Sequence, residues 1–368
     1  MGERITFVGL DVHKSSISIA LADAGRDEDV RFYGKIGGDM ESLLKAIRKL
    51  QSSGATLRFA YEAGPCGYEI YRTLTKLSFE CIVVAPSLIP KKSGDRIKND
   101  RRDALSLARL HRSGELKAVY VPTEEDEAMR DLTRTREDAI KALRVARQVL
   151  LAFLLRHGHR YSGESHWSKT HLAWIAGIKM PHTAQQIALQ EYVHAMQEGA
   201  ARVDRLTKQI QELLLTWKHL PMVKALMALR GVSLIVAVTT VSEVGDLTRF
   251  DSPKQFMAYL GLVPSQHSSG TTVKFGSITK TGNSHVRKVL TEAAQAYSHP
   301  ARETKALLDR LEGLPQEVRD TAWKAQVRLC ARFRRLLARG KNRNSVVTAT
   351  ARELAGFMWA IACAMLPA

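Results

Sequence analysis

Apolar and polar positions follow two different periods along this chain. Between Ile5 and about residue 120 the spacing switches repeatedly from that of a strand to that of a helix. "ITFVGL" is a continuous apolar run, and "SISIALA" alternates Ile17, Ile19 and Leu21 with small residues, as a half-buried strand does. A third strand fits "VRFYGKI", after the turn-like "DAGRDE". Helix "MESLLKAIRKLQ", strand "LRFAYEA", helix "GYEIYRTLTKL", strand "ECIVVAP" and a helix through "DRRDALSLARLH" follow. Three consecutive strands, then helix and strand in alternation, predict a mixed sheet covered by helices.

Beyond Thr123 the helical period takes over. Ala128, Leu132, Thr135, Ala139, Ala142, Ala146, Val149 and Phe153 step by four and three, and so do Tyr192, Met196, Gly199, Val203, Leu206, Ile210, Leu213 and Trp217. Two long amphipathic helices are predicted, joined at a Gly- and Pro-broken tip as an antiparallel hairpin or coiled coil with a dimerising or spacing role. From Met222 short helices and polar loops follow. The turn at Gly231 faintly resembles a helix-hairpin-helix, with Ser233 where its second glycine would stand. After Pro300 two more helices are expected, with "ARFRRLLARGKNRNS" between them. The segments are thus 1–122, 123–221, 222–300 and 301–368.

Charge changes this picture from architecture to partner. Among 368 residues, 55 Lys and Arg stand against 37 Asp and Glu, a formal +18 with a pI near 9.9. Such an excess favours polyanions and puts nucleic acid first. Arg332, Arg334, Arg335, Lys341 and Arg343 form the densest cationic run and are expected on phosphate, as is Lys14. Cys66, Cys81, Cys330 and Cys363 lie far apart with no C-x-x-C pair, which suits a reducing cytoplasm. A secretory leader is not expected, and the apolar stretch from Leu354 to Leu366 is shorter than the ~20 residues that span a bilayer. It reads as a buried helix. The histidines at 157, 159, 166, 171 and 182 have no zinc spacing.

Acids in the first segment carry the chemistry. Asp11 ends an apolar strand, Glu62 ends "LRFAYE" in the same way, and Asp100 and Asp103 lie one turn apart on a helix. A carboxylate at the end of a buried strand costs several kcal/mol unless it is paired or bound to a cation. Each acid alone has a plain reading: Asp11 capping a turn, Glu62 paired with an Arg, Asp100 capping its helix. Together they suggest a hard-oxygen site for Mg²⁺ or Mn²⁺, able to activate a nucleophile at a phosphodiester.

"GLDVHK", "YEAGPCGY" and "KNDRRDALSLARL" resemble the DEDD signature of the insertion-sequence transposases whose N-terminal domain is related to Holliday-junction resolvases. "FDSPKQFMAYLGLVPSQHSSG" and "GSITKTGNSHVRKVLTEAA" resemble their C-terminal transposase domain. The resemblance implies an RNase H-like (RuvC-like) α/β domain, then the helical hairpin, then a mainly α-helical region. It also implies a metal held by Asp11, Glu62, Asp100 and Asp103, and Ser269 before Gly270 as the nucleophile on DNA, with the adjoining Ser268 as the competing position. Donor and target DNA, a guiding bridge RNA and a homodimer or homotetramer follow from the same resemblance. Lys274, Lys280 and Arg287 surround the serine loop and could hold the phosphate; His267 stays outside the core set. Two other functions compete. A structure-selective nuclease would use the acids with water, and a sugar kinase or actin-like ATPase would need an Asp-Gly phosphate loop and a Gly-rich adenosine segment in the second half, where neither occurs.

Overall fold

Strand β1 (Ile5–Val12) is sorted by the pleat into two unlike faces. Val8 and Leu10 point one way, and Phe7, Gly9 and Asp11 the other. Strand β2 (Ser16–Asp23) runs antiparallel to it, with Gly9 opposite Ala20 and Asp11 opposite Ser18. Strand β3 (Arg31–Gly37) adds to β2, and β4 (Thr56–Glu62) and β5 (Glu80–Val84) lie parallel on the other side. The order is β3-β2-β1-β4-β5. The computed structural model describes residues 4–25, 29–90, 99–269 and 272–366, and divides into two units, Met1–Val121 and Pro122–Ala368.

Helices α1 (Met40–Gln51) and α2 (Glu69–Lys76) cover the bulky face, setting Leu43, Ile47, Ile70 and Leu74 among Val8, Leu10, Ile17, Ile19 and Leu21. The other face is lined with small residues, and α3 (Asp100–Arg112) lies on it through Ala104 and Ala108 against Ala20 and Ala22. A Cβ added at Gly9 would stand 2.4 Å from both the Ala104 carbonyl and the Ala108 nitrogen, so the contact requires glycine. The small residues that alternate with isoleucine in β2 are thus the seat of a helix.

The second unit begins with α4 (Glu124–Arg156) and α6 (Thr183–Leu214), with the short α5 (Lys169–Ala176) between them. Their contacts run in opposite directions along the chain: Arg136 Nε donates to Thr207 Oγ1 at 2.7 Å, Gly199 faces Leu143, and Phe153 meets Tyr192 at 5.1 Å between rings. The hairpin is antiparallel as expected, and the stripe expected on α4 is covered only in part: Ala139 and Phe153 are buried, and Leu132 and Ala146 pack against the cores. Ala128, Thr135, Ala142 and Val149 are exposed, while Met129, Thr133, Leu143, Leu150 and Leu154 are buried one position further on. Bulk decides which face turns inward, because only large side chains remove enough apolar area from water. On α6, Met196 and Ile210 are buried as expected and Leu213 gives way to Leu214.

The rest of the unit packs into the largest core. Around it stand α7 (Leu220–Leu226), α8 (Leu234–Val244), α9 (Pro253–Tyr259), α10 (Ser284–Ala294), α11 (Lys305–Leu311), α12 (Gln316–Ala338) and α13 (Arg343–Ala364). Three helices follow Pro300, not two. The turn at Gly231 is filled from within: the Ala293 carbonyl of α10 lies 2.3 Å from where its Cβ would be, and Ser233 caps α8. It packs; it does not cradle phosphate. Helix α13 is longer than the apolar stretch that signalled it, and by length and composition it is the one helix, among the described residues, able to cross a membrane. Val346, Ala351, Leu354, Met358 and Ile361 bury one side of it in the core.

Expected as a polar loop, the segment after Leu262 forms a hairpin of β6 (Pro264–Ser269) and β7 (Thr272–Ile278). Val273 and Phe275 are 54% and 67% exposed, so the alternation here has no core behind it to reveal it.

Candidate active site

Two strands and one helix converge at the C-terminal end of β1. Asp11 is the last residue but one of β1 and is nearly buried. Asn99 caps α3 by accepting from the Arg102 amide, and so takes the role that Asp100 could have had. That leaves Asp100 and Asp103 in the helix's first turn rather than at its cap. Oxygens of Asp11 and Asp100 and a ring nitrogen of His13 all lie within 4.8 Å of one another. His13 Nε2 is 3.2 Å from Asp11 Oδ2 and 3.6 Å from Asp100 Oδ1. Lys35 Nζ donates to Asp100 Oδ2 at 2.9 Å.

Electrostatics separate the acids. Burial pushes Asp11 above its usual range, and the charges of Asp103 and Asp100 push the same way against the pull of His13. The Lys35 hydrogen bond holds Asp100 below its usual range against the opposing effect of desolvation, and the charges of Lys35 and His13 add to it. A buried acid repelled by two neighbours is a site that a divalent cation stabilises, and carboxylate oxygens suit a hard ion. Among the described residues this is the only cluster of such donors.

Glu62 ends β4, the strand next to β1, where Tyr61 stands opposite Leu10. It is half-buried at the same end of the sheet but is not one of the three donors above. The Ser269 backbone ends β6, opposite Thr272 in β7. Its side chain, that of His267, and Gly270 lie outside the described residues. Two cations expected on phosphate are engaged elsewhere. Arg287 donates to the carbonyls of Leu260 and Thr281 at 2.9 and 3.1 Å, and burial draws it below its usual range. Arg332 sits 2.9 Å from Glu353. Those carbonyls belong to a tight joint, where a Cβ on Gly282 (φ 72°) would collide with the Tyr259 carbonyl. Lys14, Lys274, Lys280, Arg334, Arg335, Lys341 and Arg343 are exposed.

His13 and Lys35 were not anticipated in the site. Asp11 and His13 are two residues apart, the strand period that keeps side chains on one side. Lys35 pairs with Ser18 and Ser18 with Asp11, so a cross-strand row leads to it.

Comparison with known proteins decides the family. Residues 8–158 match a family described as transposase of the DEDD IS110 type, and residues 223–308 match one described as transposase IS116/IS110/IS902. A Sinorhizobium fredii protein named as a transposase, y4qE, is 50% identical over 98% of this chain and 89% of its own. The transposase for insertion sequence element IS1533 of Leptospira borgpetersenii is 31% identical over 92% and 99%. The chain belongs to the IS116/IS110/IS902 transposase family. As a transposase it is an enzyme acting on DNA, which gives the +18 charge a partner. The first matched region of this transposase holds Asp11, Glu62, Asp100 and Asp103, and the second holds Ser269. The likeness to the Coxiella burnetii transposase for insertion sequence element IS1111A is weaker, 24% over 65% of the chain.

Proposed function

We propose that this transposase cuts and rejoins DNA through a covalent serine–DNA phosphodiester, with a DEDD site in an RNase H-like (RuvC-like) domain. One observation carries the reading: carboxylates from β1 and from the start of α3, some 90 residues apart in sequence, are brought to one corner, with Asp11 raised by burial and by its acidic neighbours. The sheet order β3-β2-β1-β4-β5, antiparallel and then parallel, supports the fold assignment. Asp11, Asp100, Asp103 and Glu62 would hold Mg²⁺ or Mn²⁺. When bound, the ion supplies charge neutralisation at the scissile phosphate and lowers the pKa of an attacking or leaving oxygen.

The chain's own groups do the rest. The Ser269 Oγ forms a bond to phosphorus as the bond from phosphorus to the 3′ oxygen breaks; the hydroxyl proton goes to a nearby base and the departing oxygen takes one up. Attack by a 3′ hydroxyl on the phosphoserine reverses this, so strands rejoin without ATP. Lys274 and Lys280 on the hairpin offer charge to the phosphate. Guidance by a bridge RNA rests on the family resemblance, assembly into a homodimer or homotetramer on that resemblance and the helical stripes, and work in the cytoplasm at the nucleoid on the unpaired cysteines and the DNA partner. The exposed side of α4, with Val145 and Val149, offers a surface for such assembly.

The test uses the full chain with DNA carrying the element's ends. Ser269→Ala abolishes both the protein–DNA adduct and strand exchange, while DNA binding persists. Cleavage surviving in that variant would mean that the acids work with water as a resolvase-like nuclease. Catalysis in EDTA would remove the metal from the reaction, and exchange undiminished by RNase would remove the guide.

A further inference from the structure

Helix α12 has a surface that the rest of the chain leaves open. Asp320, Trp323, Val327, Ala331 and Arg334 follow at helical spacing and form one exposed stripe. Trp323 and Val327 are 44% and 45% exposed. At the stripe's N-terminal end a groove of about 580 Å³ opens between α11 and α12, with Leu308 and Trp323 in its walls and Glu303, Asp309, Glu312 and Asp320 around them. At the other end stand Arg334, Arg335 and Arg339.

The acids turn phosphate away from the groove half of this stripe, so in a protein of net +18 that half is not a nucleic-acid surface. Its occupant must be apolar in the middle and cationic where the acids lie. The far half of α12 has that chemistry. Asp320 and Arg334 lie equally far from Val327 on either side, and so do Trp323 and Ala331. Two copies laid antiparallel about Val327 therefore set Asp320 against Arg334 twice, seat each indole over an alanine, and direct the arginine-rich end of each into the groove of the other. A parallel pair would set acid against acid and oppose the helix dipoles.

We propose that α12 is a self-complementary contact between two copies of this chain, antiparallel, with its two-fold axis at Val327. The contact does not depend on the catalytic reading above. It assigns Arg334 to protein, where the cationic run alone suggested phosphate.

The test is cross-linking of the full-length protein with a thiol oxidant such as diamide. Val327→Cys forms a reducible disulfide dimer in high yield. Arg328→Cys, one residue on and turned toward Glu353 at 3.0 Å, does not, and neither does the wild type with its own four thiols. In the Val327→Cys background, D320R or R334D lowers the yield at least ~10-fold, because like charges then face each other. The double reversal D320R/R334D restores it, which no folding defect could do. Equal yields at 327 and 328 would overturn the contact. So would R334D that weakens DNA binding with cross-linking unchanged, or a double reversal that fails to recover.

Discussion

Acids gather in both units of this transposase, and their surroundings differ in kind. Asp11, Asp100 and Asp103 lie close enough for their charges to act on one another, with His13 beside Asp11 and Asp100 and Lys35 bonded to Asp100. In the other unit Glu243 is almost wholly buried on α8, but Arg134 clasps it with two hydrogen bonds at 2.7 and 2.9 Å and Asn283 adds a third at 2.7 Å. Burial alone would raise Glu243, yet these donors and the nearby Arg130 hold it below its usual range. Glu137 on α4 is treated likewise by His285 at 2.6 Å and Lys288 at 3.2 Å. In the first group Asp11 stays raised by burial and its acidic neighbours, whereas Glu243 and Glu137 are already neutralised and tie α4, α8 and α10 together. If the first group holds a cation, as proposed, chemistry and cohesion are separated by what surrounds each acid and not by the type of acid.

Substitutions that affect one property and spare the other sharpen this contrast. Asp11→Asn is expected to cost at least about a thousandfold in strand cleavage, ~4 kcal/mol in the barrier, while thermal unfolding stays level or improves as repulsion is relieved. A fall in melting temperature would make the cluster cohesive after all. Glu243→Ala should be the reverse, destabilising by about 3–5 kcal/mol in denaturant titration because Arg134 and Arg130 keep their charge without its partner. Gly9→Ala falls between the two: it pushes α3 off the sheet, costs about 1–3 kcal/mol, and weakens Mn²⁺ binding measured by calorimetry. Unchanged Mn²⁺ affinity would show that α3 does not set the acid geometry.

The smallest effect is on pH. Burial opposes ionisation of Glu137, but hydrogen bonds from His285 and Lys288 outweigh it and carry the carboxyl from its ordinary 4.5 to about 2. A depressed acid stabilises the fold fully above its unfolded value and loses that contribution as pH falls through its folded one. Glu137→Gln should therefore flatten the loss of stability between pH 4.5 and 2 and leave the curve above pH 6 parallel to that of the wild type.

Much of the N-terminal unit was legible in the sequence, because each strand and helix there covers a core and so carries a clean period. Asp11 and Glu62 were legible as strand ends for the same reason. The places of His13 and Lys35 were not, since one needs the strand's last turn of pleat and the other a register across three strands. On α4 small residues keep the helical period on both sides, and only the bulk of Met129, Leu143 and Leu150 tells which side is covered. The hairpin whose first strand ends at Ser269 leaves Val273 and Phe275 exposed with no core behind them, so backbone pairing defines it. Arg287 and Arg332 show the limit of counting charge: a guanidinium can spend itself on carbonyls or on a carboxylate within the fold.

The centre of the joint between α3 and the sheet is made of Gly9 and the methyl groups of four alanines, with Phe7, Val30 and Leu105 at its margin, and methyl groups have no rotamers to exchange. A joint of leucines could absorb a small displacement by repacking. The alanine centre of this one offers little such response, so the height of the helix that bears Asp100 and Asp103 is set by backbone contact at Gly9. Accuracy at the acid corner is thereby delegated to residues buried behind it, and on the proposed reading drift in them would be felt as lost activity before it was felt as lost fold.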